Sequence, residues 1–386
     1  MNLYQVNTPS EHKKIISKVI KPFSDRAAIH DEEGSFPFQN LADLKSVGYP
    51  SLTVPKKYGG QGLNLSEWLP LQEMIAQADG STALSIGWHI GIISQLNDKK
   101  TWPTPVLEHL YQDIVQNGAI LNAAATEPET GSPTRGGKPT TTAKKVDDGW
   151  LLSGRKSFTS MAPALDYILI TATMPDDRVG QFLLHKSDKG VRIEETWNTI
   201  AMRGTASHDL YLDDVVICAD HLVDIVVPGQ KSPAGWLLHI PACYLGIAQA
   251  AQSFALSYAS TYSPNSLPGP IKDLPTIQTK IGENEAALMQ ARYFLYGVAA
   301  KWDRATDEER LEMQGELGAA KYHVVNAAVE IVDRAMRVVG AQSLFKEHPL
   351  QRYYRDVRAG LHNPPMDDMT LLKLASEAFL QIEDVN

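Results

Sequence analysis

Cysteine is nearly missing from this chain: Cys218 and Cys243 are the whole supply in 386 residues. Neither sits in a Cys-x-x-Cys pair or beside a histidine at ligand spacing, so neither a disulfide framework nor a metal site is expected. Both thiols read as small buried apolar residues. No uninterrupted apolar run reaches the roughly 18 residues that span a membrane. The first residues, Met1-Asn2-Leu3-Tyr4-Gln5, lack a basic region and an apolar region, so no secretory signal is expected and the location is expected to be cytoplasmic. Basic residues are outnumbered, 36 Lys and Arg against 45 Asp and Glu, for a net charge of −9. That argues against a general nucleic-acid or anionic-lipid surface, whose affinity comes from neutralising phosphates. Internal repeats and low-complexity linkers are also missing. What remains is ordinary globular composition, 43% hydrophobic and 21% charged, in a chain long enough for two or three domains.

The pattern along the chain divides it in three. Residues 9–32 read as a helix, with Ser10 able to cap and Ile15, Ile16, Val19 and Ile20 at helical spacing. Phe36 to Asp43 opens a second helix, ended by Val47-Gly48-Tyr49-Pro50. Residues 54–62 hold a proline and three glycines and read as a loop. Residues 66–78 are amphipathic again. Asp79-Gly80-Ser81 caps a helix through Ala83 and Ile93 that is apolar almost all round and therefore central. His89 sits on it, either as a core histidine bonded to a backbone carbonyl or as a site-lining group. Between Leu121 and Ile217 the period changes to that of strands, with Asp-Gly at 148–149 as a turn signal. Five or more short strands over about 100 residues predict a small barrel or sandwich. After Pro233, long helices over 236–262, 278–303, 307–339 and 367–382 predict an antiparallel bundle. Glu308, Glu309, Arg310 and Glu312 read as the solvated start of the third. The expected division is 1–120 helical, 121–226 β and 227–386 helical bundle: an α+β chain.

Three motifs lie in the β part and its edges: Ala125-Thr126-Glu127-Pro128 leading to Gly131-Ser132, then Phe158-Thr159-Ser160, then Met202-Arg203-Gly204-Thr205 running to His208. With this domain order they resemble the acyl-CoA dehydrogenase superfamily over nearly the whole chain. The resemblance implies a flavin, usually FAD and possible here as FMN, held between the β domain and the bundle, and a homotetramer. Electrons would pass to or from an electron-transfer flavoprotein or a flavin reductase. It places Ala125 and Thr126 at the ring edge, Gly131 and Ser132 at the turn admitting flavin and substrate, Phe158 where a Trp usually flanks the ring, and Ser160 as donor near N5. Such donors suit a ring that gathers negative charge when reduced. In the bundle it assigns Gln278, Arg337 and Gly340 to a neighbouring subunit's cofactor; Gly340 admits close backbone approach and Arg337 suits a phosphate.

The chain departs from dehydrogenase chemistry at the base. Removing an α-proton from a thioester needs a carboxylate of raised pKa. The two positions where the family places it fall near Asn363 or Pro364, after Arg355-Asp356, and at Trp236. Arg355-Asp356-x-Arg358-x-x-Leu361-His362-Asn363-Pro364 instead resembles the dibenzothiophene and hydroxyphenylacetate type of flavin monooxygenase, in which reduced flavin meets O2 to form a C4a-hydroperoxide. That chemistry needs a histidine able to pass a proton near neutral pH and a water-poor pocket. His362 is the first catalytic candidate and His89 the second; His362 otherwise reads as a loop histidine capping the last helix. Asp367 and Asp368 read as charges favoured at that helix's N-terminus. The expected function is oxidation of an acyl-CoA-like substrate by hydride transfer to FAD. The alternative is a two-component monooxygenase, and a scaffold that kept the fold is a third reading, opposed by the intact Thr126, Ser132 and Ser160.

Overall fold

The computed structural model describes residues 2–130, 136–229 and 232–383. The first layer is helical. Thr8 accepts from the Glu11 N–H and Glu11 reaches back to the Thr8 N–H, a reciprocal cap that starts α1, Pro9–Val19. The single helix expected over 9–32 is in fact two. Pro22 has no N–H to continue the ladder, so the chain turns and α2 begins, Phe23–Glu33. Then come α3, Phe38–Ser46, and α4, Leu65–Ala78. Asp79 closes α4 and accepts from the Ser81 and Thr82 N–H groups to start α5, Gly80–Lys99, which is buried on almost every side. A shorter helix, α6, Thr104–Asn117, leads into the sheet.

The β segment is one eight-stranded sheet. Its strands are β1 Leu121–Ala124, β2 Thr142–Val146, β3 Gly149–Thr159, β4 Tyr167–Thr173, β5 Val179–His185, β6 Val191–Glu194, β7 His208–Cys218 and β8 Leu222–Val226. The order is β6-β7-β3-β2-β4-β5-β8, with β1 parallel to β4 off that path. β3 and β7 carry register shifts at Leu152/Gly154 and Lys156/Thr159; such irregularities bend a strand and re-aim its side chains, here just before Phe158. Cys218 is exposed, contrary to expectation, because the period-2 alternation that buries Ile217 turns its neighbour outward. Cys243 is buried.

The bundle contains α7 His239–Thr261, α8 Pro275–Arg304, α9 Asp307–Glu312, α10 Gln314–Val339, α11 Pro349–Ala359 and α12 Asp367–Glu383. The helix expected over 307–339 breaks at Met313, which turns into the core. The helix expected from Trp236 starts as a 3₁₀ turn, Gly235–Leu238, and becomes α7 at His239. α11 was not readable from apolar spacing: of its side chains Leu350, Arg352, Asp356 and Val357 are buried, two of them charged. Glu73 of α4 accepts from Arg292 (3.0 and 2.7 Å) and from Tyr296, tying the first layer to α8. Among the described residues, no helix is long and apolar enough to cross a membrane.

Candidate functional site

β1 delivers the Thr126 turn, and a histidine fixes where β1 starts. His89 is fully buried; its Nε2–H donates to the Pro50 carbonyl and its Nδ1 accepts from the Leu121 N–H, both at 2.9 Å. Burial pulls its pKa down to about 4, so it is neutral and both nitrogens are engaged. In this arrangement His89 pins α5 to the sheet.

Past β1, Glu127 points inward and holds the turn. Its carboxylate accepts from the Thr140 N–H (2.6 Å) and Oγ1 (2.7 Å), from the Thr141 N–H (3.1 Å) and Oγ1 (2.6 Å), and from Lys156 Nζ (2.6 Å). Burial would raise its pKa, but these donors outweigh burial and bring it to about 2. Both side chains of the Glu127–Lys156 pair are wholly buried. Sequence reading took the Thr-Glu-Pro run as a flavin-edge motif and missed Glu127 and Lys156 as its internal brace. The only signal was a lysine at an inward position of a strand.

The Ser157 N–H donates to the Thr126 carbonyl at 2.9 Å, which sets Thr126 beside β3's end. There Phe158 adopts φ +57° and is 62% exposed. A bulky residue in the left-handed region is strained, and such strain gathers at functional sites. Its ring meets Trp197 edge-on at 5.8 Å. Ser160 is held by Asn122, whose Nδ2 donates to the Ser160 carbonyl at 2.9 Å. The Ser160 hydroxyl lies 2.9 Å from Ser207 Oγ, Ser207 lies 2.9 Å from Thr205 Oγ1, and Thr205 donates to the Met202 carbonyl. With Thr205's proton committed, Ser207 donates to Thr205 and Ser160 donates to Ser207. The Ser160 proton reaches an outside acceptor only by turning away from Ser207. Ala125 and Thr126 are half-buried, and the Thr126 hydroxyl has no hydrogen-bond partner among the described residues. An exposed flat ring, a hydroxyl at the outer end of a donor chain and an unengaged hydroxyl fit an isoalloxazine. An open cleft of about 770 Å³ continues past this turn between Glu129, Thr140, Gly154, Arg155 and Tyr211. Gly131 and Ser132 lie outside the described residues.

The helical side reaches the same turn through Asp356. Its Oδ1 accepts from the Met202 N–H at 2.6 Å, and burial pushes its pKa up to about 7. Arg355 donates to Asp31 (2.9 Å) and to the Ile200 carbonyl (2.6 Å), so the Arg-Asp pair clamps all three layers. His362 is the exposed last residue of the 3₁₀ turn Gly360–His362, whose Gly360 is buried, and it has no hydrogen-bond partner among the described residues. Asn363 Oδ1 accepts from the Tyr244 hydroxyl at 2.6 Å. Gln278, Arg337 and Gly340 are gathered elsewhere. α8 and α10 run side by side, with Arg334 3.3 Å from Asn284 Oδ1, so the start of one meets the end of the other. All three residues are exposed there, and Arg337 pairs with Asp333 at 2.7 Å. Gly340 has φ +73° and ψ −151°, open only to glycine, with no atom near where a Cβ would stand. Among the described residues, no hydrogen bond joins this end to the sheet.

Three family profiles match in chain order: the acyl-CoA dehydrogenase N-terminal domain over residues 10–99, the middle domain over 122–215 and the C-terminal domain over 238–363. The class is that of three-layer flavoprotein oxidoreductases. The chain belongs to the acyl-CoA dehydrogenase family. It is 51% identical to "Putative acyl-CoA dehydrogenase YdbM" of Bacillus subtilis (strain 168), over 94% of this chain and 95% of that one. Among solved structures it is similar to butyryl-CoA dehydrogenase from Megasphaera elsdenii (19% identity, TM-score 0.84, 98% and 99% of the two chains). It is also similar to methanesulfinate monooxygenase MsuC from Pseudomonas fluorescens (23% identity, TM-score 0.83, 95% and 96%). A dehydrogenase and a monooxygenase superpose equally well, so the backbone does not choose the reaction.

Proposed function

We propose that this enzyme is the oxygenase component of a two-component flavin monooxygenase, taking reduced FMN or FAD from a reductase partner. One observation carries the reading: neither position at which the family places its carboxylate base holds an acid. Trp236 is a half-buried indole, and Asn363 is an amide engaged by Tyr244. The reduced flavin, when bound, supplies two electrons to O2 so that one oxygen atom passes to the substrate and the other leaves as water. Phe158 and Thr126 would flank and seat the ring, and Ser160 would turn its hydroxyl proton from Ser207 toward N5. His362 would return a proton from the helical side. Asn122, Glu127 and Asp356 hold these groups in place. A homotetramer is supported by the apolar outer face of α12, where Leu372, Phe379 and Leu380 are exposed.

The second reading is oxidation of an acyl-CoA by hydride transfer to FAD, with electrons passed to an electron-transfer flavoprotein. It is favoured by the name of the 51% identical relative. The test is anaerobic addition of butyryl-CoA or octanoyl-CoA to the protein loaded with oxidised FAD. The monooxygenase reading expects no bleaching of the flavin. Bleaching within the turnover time would replace it with the dehydrogenase reading.

A further inference from the structure

A second constellation lies beside the sheet, under β1. Trp88 and His239 meet edge-on at 4.7 Å between ring centroids, Trp236 and His239 stack with an interplanar angle of 6°, and the two indoles meet at 5.8 Å. His239 is wholly buried, yet neither ring nitrogen has a protein partner among the described residues. The same holds for Nε1 of Trp88, Nε1 of Trp236 and Oε1 of Gln72. Gln72 belongs to the same place: a Cβ added at Gly87 would stand 2.4 Å from both Gln72 Nε2 and His239 Nδ1.

The fold is built to admit these rings. Gly87 and Gly91 are four residues apart on one face of α5, and a Cβ at Gly91 would meet the Trp236 ring at 2.5 Å. Glycine in a helix interior is unfavourable; here two of them let an imidazole and an indole lie directly on the helix backbone. Burial pulls the His239 pKa down to about 3, so the ring is neutral, with one N–H and one bare nitrogen. The cluster therefore offers three N–H donors and two acceptors, aromatic faces and no charge. Bare buried polar groups are destabilising unless something pairs with them. A fatty acyl chain pairs with none of them, and an ion finds no counter-charge.

The cluster shares helix α5 and one apolar cluster with the strand that leads to the proposed flavin seat. Trp88 adjoins His89, whose ring holds the start of β1, and Trp236 packs on the same apolar cluster as Ala123 of β1. Ala123 is three residues from Thr126, about 10 Å at strand rise.

We propose that Trp88, Trp236, His239 and Gln72 form a subsite for a small, flat, uncharged molecule that both donates and accepts hydrogen bonds, a lactam or hydroxylated heteroarene. It rests on the flavoenzyme reading only in making that molecule the substrate. The test is calorimetric titration of the full chain with 2-quinolinone, and with naphthalene as a ring of the same outline without polar atoms. The expected result is binding of 2-quinolinone that falls at least tenfold in His239→Phe and several-fold in Trp236→Phe, with naphthalene binding unchanged in both. Absence of 2-quinolinone binding to the unaltered protein, or equal affinity across the variants, would overturn the proposal. Reduced FMN is titrated into the same proteins. If FMN fails to bind while 2-quinolinone behaves as expected, the flavin reading falls and the subsite stands; the reverse pattern removes the subsite alone.

Discussion

Ser160, His362 and Glu127 separate the chemistry of the site from its scaffolding. Ser160 stands at the outer end of a three-hydroxyl chain. Ser160→Ala is expected to lower turnover on the order of a hundredfold, as removal of one preorganised donor does, while reduced flavin still binds. His362→Ala is expected to lower it at least tenfold, again with flavin bound, the loss typical of a general acid-base group being ~100-fold or more. Unchanged steady-state rates would remove the respective residue from the mechanism. Glu127 acts on stability. Glu127→Gln leaves Lys156 as a buried cation without its carboxylate, and breaking such a pair costs about 3–5 kcal/mol, measurable by urea unfolding. The acid limb carries the same signature. Glu127 has a folded pKa near 2 against an ordinary 4.5, so its stabilisation is present above about 4.5 and is lost as pH falls toward 2. The variant should lose that limb; an unaltered one would mean that other carboxylates govern acid unfolding.

At the scale of elements, α5 does the most, and it does so through groups that sequence reading ranked differently. The apolar character of α5 was plain from Ala83 to Ile93, and Asp79 was correctly read as its cap. His89 was ambiguous because the atoms that engage it, the Pro50 carbonyl and the Leu121 N–H, are far away in sequence and are backbone. His89→Phe should destabilise by about 3 kcal/mol, since two backbone groups are left bare. Its pH dependence has a definite sign. The folded pKa of about 4 lies below the ordinary 6.5, so the unfolded chain binds the proton first. Stability is full above about 6.5 and declines as pH falls toward 4. Thermal unfolding from pH 8 to 4 should show a shallower decline in the variant than in the unaltered protein; parallel curves would contradict it. α11 shows the opposite failure. Its residues Arg352, Arg355 and Asp356 are polar, so no apolar period announced the helix, although they clamp the three layers together.

For the whole molecule, the order of layers was legible because the hydrophobic period changes twice, near Leu121 and after Pro233. The break at Met313 and the short strands β1, β6 and β8 were not, because they are set by partners distant in sequence; the break at Pro22 is local, a proline without an N–H inside an otherwise helical period. The motifs at Thr126, Phe158 and Ser160, apart in sequence, lie together at one end of β3. The brace under them was not legible, nor was the Trp88–Trp236–His239 cluster, since unpaired polar atoms exist only in three dimensions. The proposed reaction rests on what stands on the helical side, at Trp236 and Asn363, where no acid is present. The most direct measurement is rapid mixing of the reduced FMN–protein complex with O2, followed by its visible absorbance. The account predicts a transient spectrum, distinct from both oxidised and reduced flavin, before oxidised FMN appears. A single-phase return of oxidised FMN at the rate of the free cofactor would contradict it.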